Sequence, residues 1–220
     1  MHTFWTYKLP RELESWFSQP TPMRSIASAK VRHHGLFRDV QYVTIQHQTL
    51  AGIDSDMIVW WLRYFCYQNV QLANGKTISA FTFWHPLCHR HFDLDRHSLS
   101  GETGLADGAQ ISLEVLHDDV KLCSGKVQVL AFNNSGFSLK YQHCPSGPAI
   151  LDEAFYDTPA GVRYESRLIS VNGDRIKINQ QAITKWILYR IETIGNLQVF
   201  LPSIFKSQSA KNFEYRRAFS

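Results

Sequence analysis

The chain has 220 residues, 44% of them hydrophobic and 19% charged, a balance that fits one folded domain of generous size and excludes a disordered polymer. Its formal charge of +4 is modest and comes with no basic helix or recognition motif, so nucleic-acid binding is not expected. No apolar run approaches the ~20 residues that cross a bilayer, so no membrane-spanning helix is expected.

The four cysteines, Cys66, Cys88, Cys123 and Cys144, are far apart and form no C-x-x-C pair. That spacing points to free thiols in a reducing compartment. The first ten residues lack the basic and apolar regions of a secretory signal, and a cytoplasmic location is expected.

Residues 1–29 read as an N-terminal arm, in which 10–17 predict a short helix packed through Leu13, Trp16 and Phe17. Residues 30–205 form the body. Tyr42, Val43, Thr44, Ile45 and Thr49 have strand chemistry, and Ala51-Gly52 ends that run. A helix begins at Asp54, its N-cap, with Asp56 in the first turn. Met57, Trp60, Trp61 and Tyr64 recur at helical spacing. A core-facing helix is the plain meaning of that stripe, and stacking of Trp61 on a ligand the sharper one. Asn74-Gly75 is a tight turn, with a strand expected over 78–84 and a loop over 101–108.

Four more strands are expected at 110–116, 126–132, 137–143 and 162–171, with Asn172-Gly173 leading into 175–179. These turns predict an antiparallel meander. Ile183, Ile187, Ile191, Ile194, Leu197, Leu201 and Ile204 then mark an amphipathic helix with Pro202 in its last turns. Residues 206–220 read as a basic tail. The layout is α+β: a sheet curled around a long C-terminal helix, with a pocket between them.

Residues 84–97 concentrate imidazoles and carboxylates around Pro86. If the chain is extended from His89 onward, then His89, His91, Asp93, Asp95 and His97 share one side. Such a face either meets solvent or coordinates a cation such as zinc, iron or manganese.

Gly52 to Met57 with Trp60-Trp61, then Trp84-His85-Pro86-Leu87-Cys88-His89, resemble the 2,4-diacetylphloroglucinol hydrolase family. Stretches around Glu114, Ser166-Arg167 and Phe200-Leu201-Pro202 continue the resemblance in order. It implies a Bet v 1-like helix-grip fold enclosing a cavity, a zinc ion, and hydrolysis of a carbon–carbon bond between an acyl group and a phenolic ring. By position His89 and Glu114 match two of the four zinc ligands. The other two fall on Tyr189 and Thr193, which are poor ligands, and Glu192 stands beside the lost glutamate. A tyrosine that contacts substrate in the family falls on Phe81.

Two functions follow. In the first, a metal-dependent hydrolase acts on an acylated phenol or diketone. His89, Glu114 and Glu192 hold zinc, His85 or His91 completes the site or shuttles a proton, and Trp61, Phe81, Arg167 and Tyr189 contact substrate. In the second, a carrier or sensor binds a small aromatic or hydrophobic molecule in the grip, with part of the metal set lost. For Arg167 a structural pair with a carboxylate is the plainer role, for Tyr189 packing, and for Glu114 a place on the solvent side of a strand. A homodimer is compatible with either function.

Overall fold

The computed structural model describes residues 5–18, 25–35, 41–98, 104–144, 147–170 and 180–218. The expected strand at 175–179 lies outside these. The chain opens with β1 (Trp5–Lys8), α1 (Arg11–Ser18), β2 (Lys30–Gly35), β3 (Gln41–Gln46) and α2 (Ser55–Tyr64). Next come β4 (Gln68–Gln71), β5 (Thr77–Ser79), the short α3 (Ala80–Trp84) and β6 (His89–Arg96). A meander follows: β7 (Gln110–His117), β8 (Val120–Asn133), β9 (Gly136–Cys144), β10 (Gly147–Thr158) and β11 (Gly161–Ser170). The last element is α4 (Gln180–Ala218).

The main sheet has eight antiparallel strands in the order β2-β3-β11-β10-β9-β8-β7-β6. A small three-stranded sheet, β1-β4-β5, lies apart from it. Alternation along the meander sends Ile111, Leu113 and Val115 of β7, Val127 and Val129 of β8, and Leu151 and Phe155 of β10 into the core. The predicted stripe of α4, from Ile183 to Ile204, is buried at every one of its seven positions. Between Ile191 and Leu197 the helix is buried on all sides, because α2 and α3 cover what the sheet does not.

Local chemistry fixes the ends of the shorter helices. The Met57 amide donates to the Asp54 side chain at 2.8 Å, so Asp54 is the N-cap of α2 as its sequence predicts. Ser55 ties this start to the end of β10 by donating its amide (2.8 Å) and hydroxyl (2.7 Å) to Asp157. The turn before β11 passes so near Leu50 that a Cβ at Gly161, with φ +116°, would sit 2.2 Å from the Leu50 oxygen. Only glycine fits there.

Three expectations need correction. The strand expected over 78–84 stops at Ser79, whose hydroxyl accepts from the Thr82 amide (3.1 Å) and caps α3 instead. That turn of helix buries Phe81, Phe83 and Trp84 together. β10 was not expected, because buried Glu153 interrupts its apolar alternation. The proposed tail is helical: α4 continues through Pro202 to Ala218. In the arm, the expected short helix is α1, with buried Leu13, and Trp16 and Phe17 meet Phe83 at 5.5 and 5.7 Å. Among the described residues no helix is long and apolar enough to cross a membrane.

Candidate functional site

Pro86 ends α3 and bends the chain into β6. The backbone of His85 (φ −143°, ψ 84°) is out of the helical region, which the following proline disfavours, and its carbonyl accepts from the amides of Cys88 (3.0 Å) and His89 (2.9 Å). Arg90 is then inserted as a β-bulge between the pairs His89↔Val115 and His91↔Glu114. The bulge switches the alternation. His89 enters the core with Phe92 and Leu94, while His91, Asp93 and Asp95 face solvent. The expected shared face of His89 and His91 therefore does not form.

His89 is buried and both its ring nitrogens are engaged. Its Nδ1–H donates to the Phe81 carbonyl at 2.7 Å, which leaves Nε2 to accept from the Tyr189 hydroxyl at 3.0 Å. Burial, reinforced by the nearby His85 ring, holds its pKa well below the ordinary imidazole value, so the ring is neutral. Burial likewise pushes the Tyr189 phenol up. The Phe81 ring stacks on the imidazole at 3.9 Å and Trp84 meets it edge-on at 5.5 Å. Two bonds pin α3 to α4 at this depth: Trp84 Nε1–H to the Thr193 carbonyl (2.8 Å) and the Asn196 amide to the Trp84 carbonyl (3.0 Å).

Tyr189, Glu192, Thr193 and Asn196 share one face of α4 by their three-to-four residue spacing. Glu192 thus reaches the α3–β6 corner, where its Oε2 lies 3.2 Å from His85 Nε2 and 3.8 Å from His117 Nε2. Cys88 joins them: one donor atom each from His85, Cys88 and Glu192 lie within 4.8 Å of one another, a group that could hold a metal ion. Burial would raise the Glu192 carboxyl, but the His117 and His85 rings outweigh it and hold its pKa at about 2. The Glu192 carboxylate in turn raises His117, against partial burial. Burial, with the Glu192 charge adding to it, pushes the Cys88 thiol up to about 12.

A pH profile follows for chelator-treated protein. The Glu192 contribution is complete above its ordinary value of 4.5 and fades as pH falls toward about 2. The His117 contribution is complete below 6.5 and fades as pH rises through its raised folded value. Stability from this pair is therefore greatest between those limits, and Glu192→Gln should flatten both limbs in denaturant melts taken across pH.

A second polar group links α4 to β10 and β11 on the concave face of the sheet. Arg190 donates from Nη2 to Glu153 Oε1 at 2.5 Å, and Ser166 donates to Glu153 Oε2 at 2.7 Å. The Ser166 oxygen then accepts from His47 Nε2–H at 2.9 Å. Glu153, Arg190, Ser166 and His47 are all buried.

The predicted site residues therefore separate into two sets. His85, His89, Phe81, Tyr189 and Glu192 meet under α4. Glu114 lies on the outer face, its side chain 37% exposed and paired with Lys121 at 3.0 Å. Strand alternation puts it opposite Leu113 and Val115, so it does not converge with His89. His91 is 53% exposed and pairs with Asp93 at 3.0 Å. Arg167 is exposed, bonded to Glu165 at 3.2 Å and set over the Tyr42 ring. His97 meets the Tyr67 hydroxyl at 3.2 Å, and Trp61 is buried among Phe65, Trp84 and Phe200. Zinc held by His89 and Glu114 does not fit this arrangement, since both His89 nitrogens are used and the carboxylate is across the sheet. Cys88, His117, Glu153 and Arg190 were missed. The charges Arg190 and Glu192, either side of Ile191 in a largely apolar helical stretch, were the available signal.

No family model matches the chain, and no curated protein matches it. Among solved structures it is similar to Ara h 8.0201 at 5% identity and TM-score 0.55, covering 75% of this chain and 99% of that one. It is also similar to a protein from Arthrobacter aurescens (11% identity, TM-score 0.47, covering 79% and 91%). A third is StfQ, the di-domain ARO/CYC of the steffimycin biosynthetic pathway (9% identity, TM-score 0.45, covering 78% and 52%). At such identities the likeness concerns the fold alone. A curved antiparallel sheet closed by a long C-terminal helix, superposable along three quarters of this chain on Ara h 8.0201, is the α+β Bet v 1-like helix-grip.

Proposed function

We propose that this helix-grip protein binds a small aromatic or hydrophobic molecule between the concave sheet and α4, as a carrier or sensor. The observation that carries this reading is the buried, uncharged pair of His89 and Tyr189 set between the rings of Phe81 and Trp84. A neutral acceptor and a neutral donor suit the hydroxyl and carbonyl of a phenolic ligand, and the rings supply planar apolar contact. The ligand would exchange its own hydroxyl for the Tyr189–His89 bond. Four free cysteines favour a cytoplasmic setting. Neither nucleic acid nor a membrane enters this reading.

The test uses 2,4-diacetylphloroglucinol as probe, with tryptophan fluorescence for binding and product analysis for turnover. Saturable 1:1 quenching without a deacetylated product is expected. Tyr189→Phe should weaken binding about tenfold and, by leaving His89 Nε2 buried without a donor, cost about 1–3 kcal/mol of stability. Absence of saturable binding by this probe and by 1-anilinonaphthalene-8-sulfonate would sink the carrier reading. Metal-dependent release of an acyl group would replace it with the carbon–carbon hydrolase. That second reading is favoured by the His85, Cys88 and Glu192 group, since it needs donors other than Glu114.

A further inference from the structure

We propose that His85, Cys88 and Glu192, with His117 as fourth donor, form a site for a borderline-soft divalent cation such as zinc, separate from the His89 position to which the sequence resemblance pointed. This inference does not rest on aromatic binding and can fail or succeed independently of it.

Geometry comes first. Zinc bonds of about 2.0–2.3 Å to nitrogen, oxygen and sulfur put the ligand atoms of a tetrahedron about 3.3–3.7 Å apart. The His85 Nε2 to Glu192 Oε2 separation is 3.2 Å, that from Glu192 to His117 is 3.8 Å, and the Cys88 sulfur falls within the same 4.8 Å group. Side-chain shifts of about 1 Å would therefore bring these donors to bonding distance. Three different elements supply them: the α3–β6 corner, the end of β7 and α4. All three are fixed by hydrogen bonds, through the His85 carbonyl, the Leu116 amide to the Cys88 carbonyl (2.9 Å) and the Trp84–Thr193 bond.

Electrostatics makes the second argument. The Glu192 carboxylate is 11% exposed, and among the described residues its ion pairs are with two histidines, His85 and His117, and not with a lysine or arginine. A buried carboxylate without a permanent cation beside it is costly, and a bound cation supplies that charge. His85 adds an independent sign: it is 3% exposed, and its Nδ1 has no hydrogen-bond partner among the described residues. The imidazole can therefore turn or change tautomer without breaking a bond at that nitrogen. Nitrogen, sulfur and oxygen donors together select zinc over magnesium or calcium. The His117 side chain, 13% exposed beside the open Asp118, gives the ion a way in.

The experiment is metal analysis of the purified full-length chain, followed by cobalt(II) titration after chelation. One equivalent of metal per chain is expected, together with a near-ultraviolet thiolate-to-cobalt charge-transfer band. Cys88→Ser, nearly isosteric, should abolish the band, while Cys66→Ser and Cys144→Ser should keep it. Glu192→Gln and His117→Gln should each weaken cobalt binding by more than about tenfold, the lower end of what loss of an outer-shell partner costs. Glu114→Gln, on the outer face, should bind as the parent does. Near-ultraviolet circular dichroism shows whether each variant is folded. The proposal is overturned if the folded parent binds less than a stoichiometric amount. It is equally overturned if the band survives Cys88→Ser, or if Glu114→Gln loses the metal while Cys88→Ser retains it.

Discussion

Arg190→Met is expected to destabilise the protein by about 3–5 kcal/mol, the cost of leaving a buried charge without its partner. Glu153 is fully buried on the concave face and takes bonds from Arg190 and Ser166. Its carboxyl is already pushed up by burial, against the pull of Arg190. Removing the guanidinium raises it further, so at neutral pH the variant must either protonate Glu153 or keep a bare buried anion. The sign of the pH dependence follows. With the folded value above the unfolded 4.5, the folded state holds the extra proton, and stability falls as pH rises between the two. The loss should therefore be largest at neutral pH and smaller in acid. Glu153→Met combined with Arg190→Met should recover to within about 1–2 kcal/mol of the parent, because an apolar pair of similar volume can replace a buried ion pair. Urea melts of the two single variants and the double variant measure this cycle. An Arg190→Met loss below about 1 kcal/mol would mean that the ion pair does not hold α4 at this depth.

That network also explains why part of the site was hidden in the sequence. The stripe from Ile183 to Ile204 announced a helix against a sheet, and the Asp54 cap and the turn after Phe132 announced their elements, because each is a local signal. Glu153, Ser166, His47 and Arg190 come from four separate stretches and acquire meaning only when β3, β10, β11 and α4 are in register. The Arg90 bulge is the sharpest case. Extended spacing puts His89 and His91 on one face, and a single inserted residue puts them on two. Glu114 shows the reverse. Its alternation with Ile111, Leu113 and Val115 already placed it away from the core, and the match to a family ligand pointed the other way. Helical spacing kept Tyr189 and Glu192 within one turn, so their convergence on the α3–β6 corner was readable once the corner was known. Cys88 and His117 carried no spacing signal, since a tight turn and a strand end bring them together.

Trp61→Ala should cost about 3–5 kcal/mol, and its size decides between packing and ligand contact for this residue. Trp61 has no exposed surface and stands where α2, α3 and α4 meet. Its ring lies 4.9 Å from Phe200, 5.9 Å from Trp84 and 6.0 Å from Phe65, so truncation opens a void walled by other rigid rings that cannot collapse into it. Its indole Nε1–H is buried without a hydrogen-bond partner among the described residues. Trp61→Phe removes that unpaired donor along with the extra ring, so its loss should be well below that of alanine. Thermal and urea melts of both variants read the effect. If Trp61 is a core residue, the phenylalanine variant keeps aromatic-probe affinity within about twofold while the alanine variant is clearly less stable. If Trp61 is a wall of the ligand site, alanine leaves stability within about 1 kcal/mol and removes binding. The four-ring cluster argues for the first outcome: Trp84, which Trp61 buttresses, is the ring that both touches His89 and bonds to Thr193. Trp61 thereby holds the site in shape from behind.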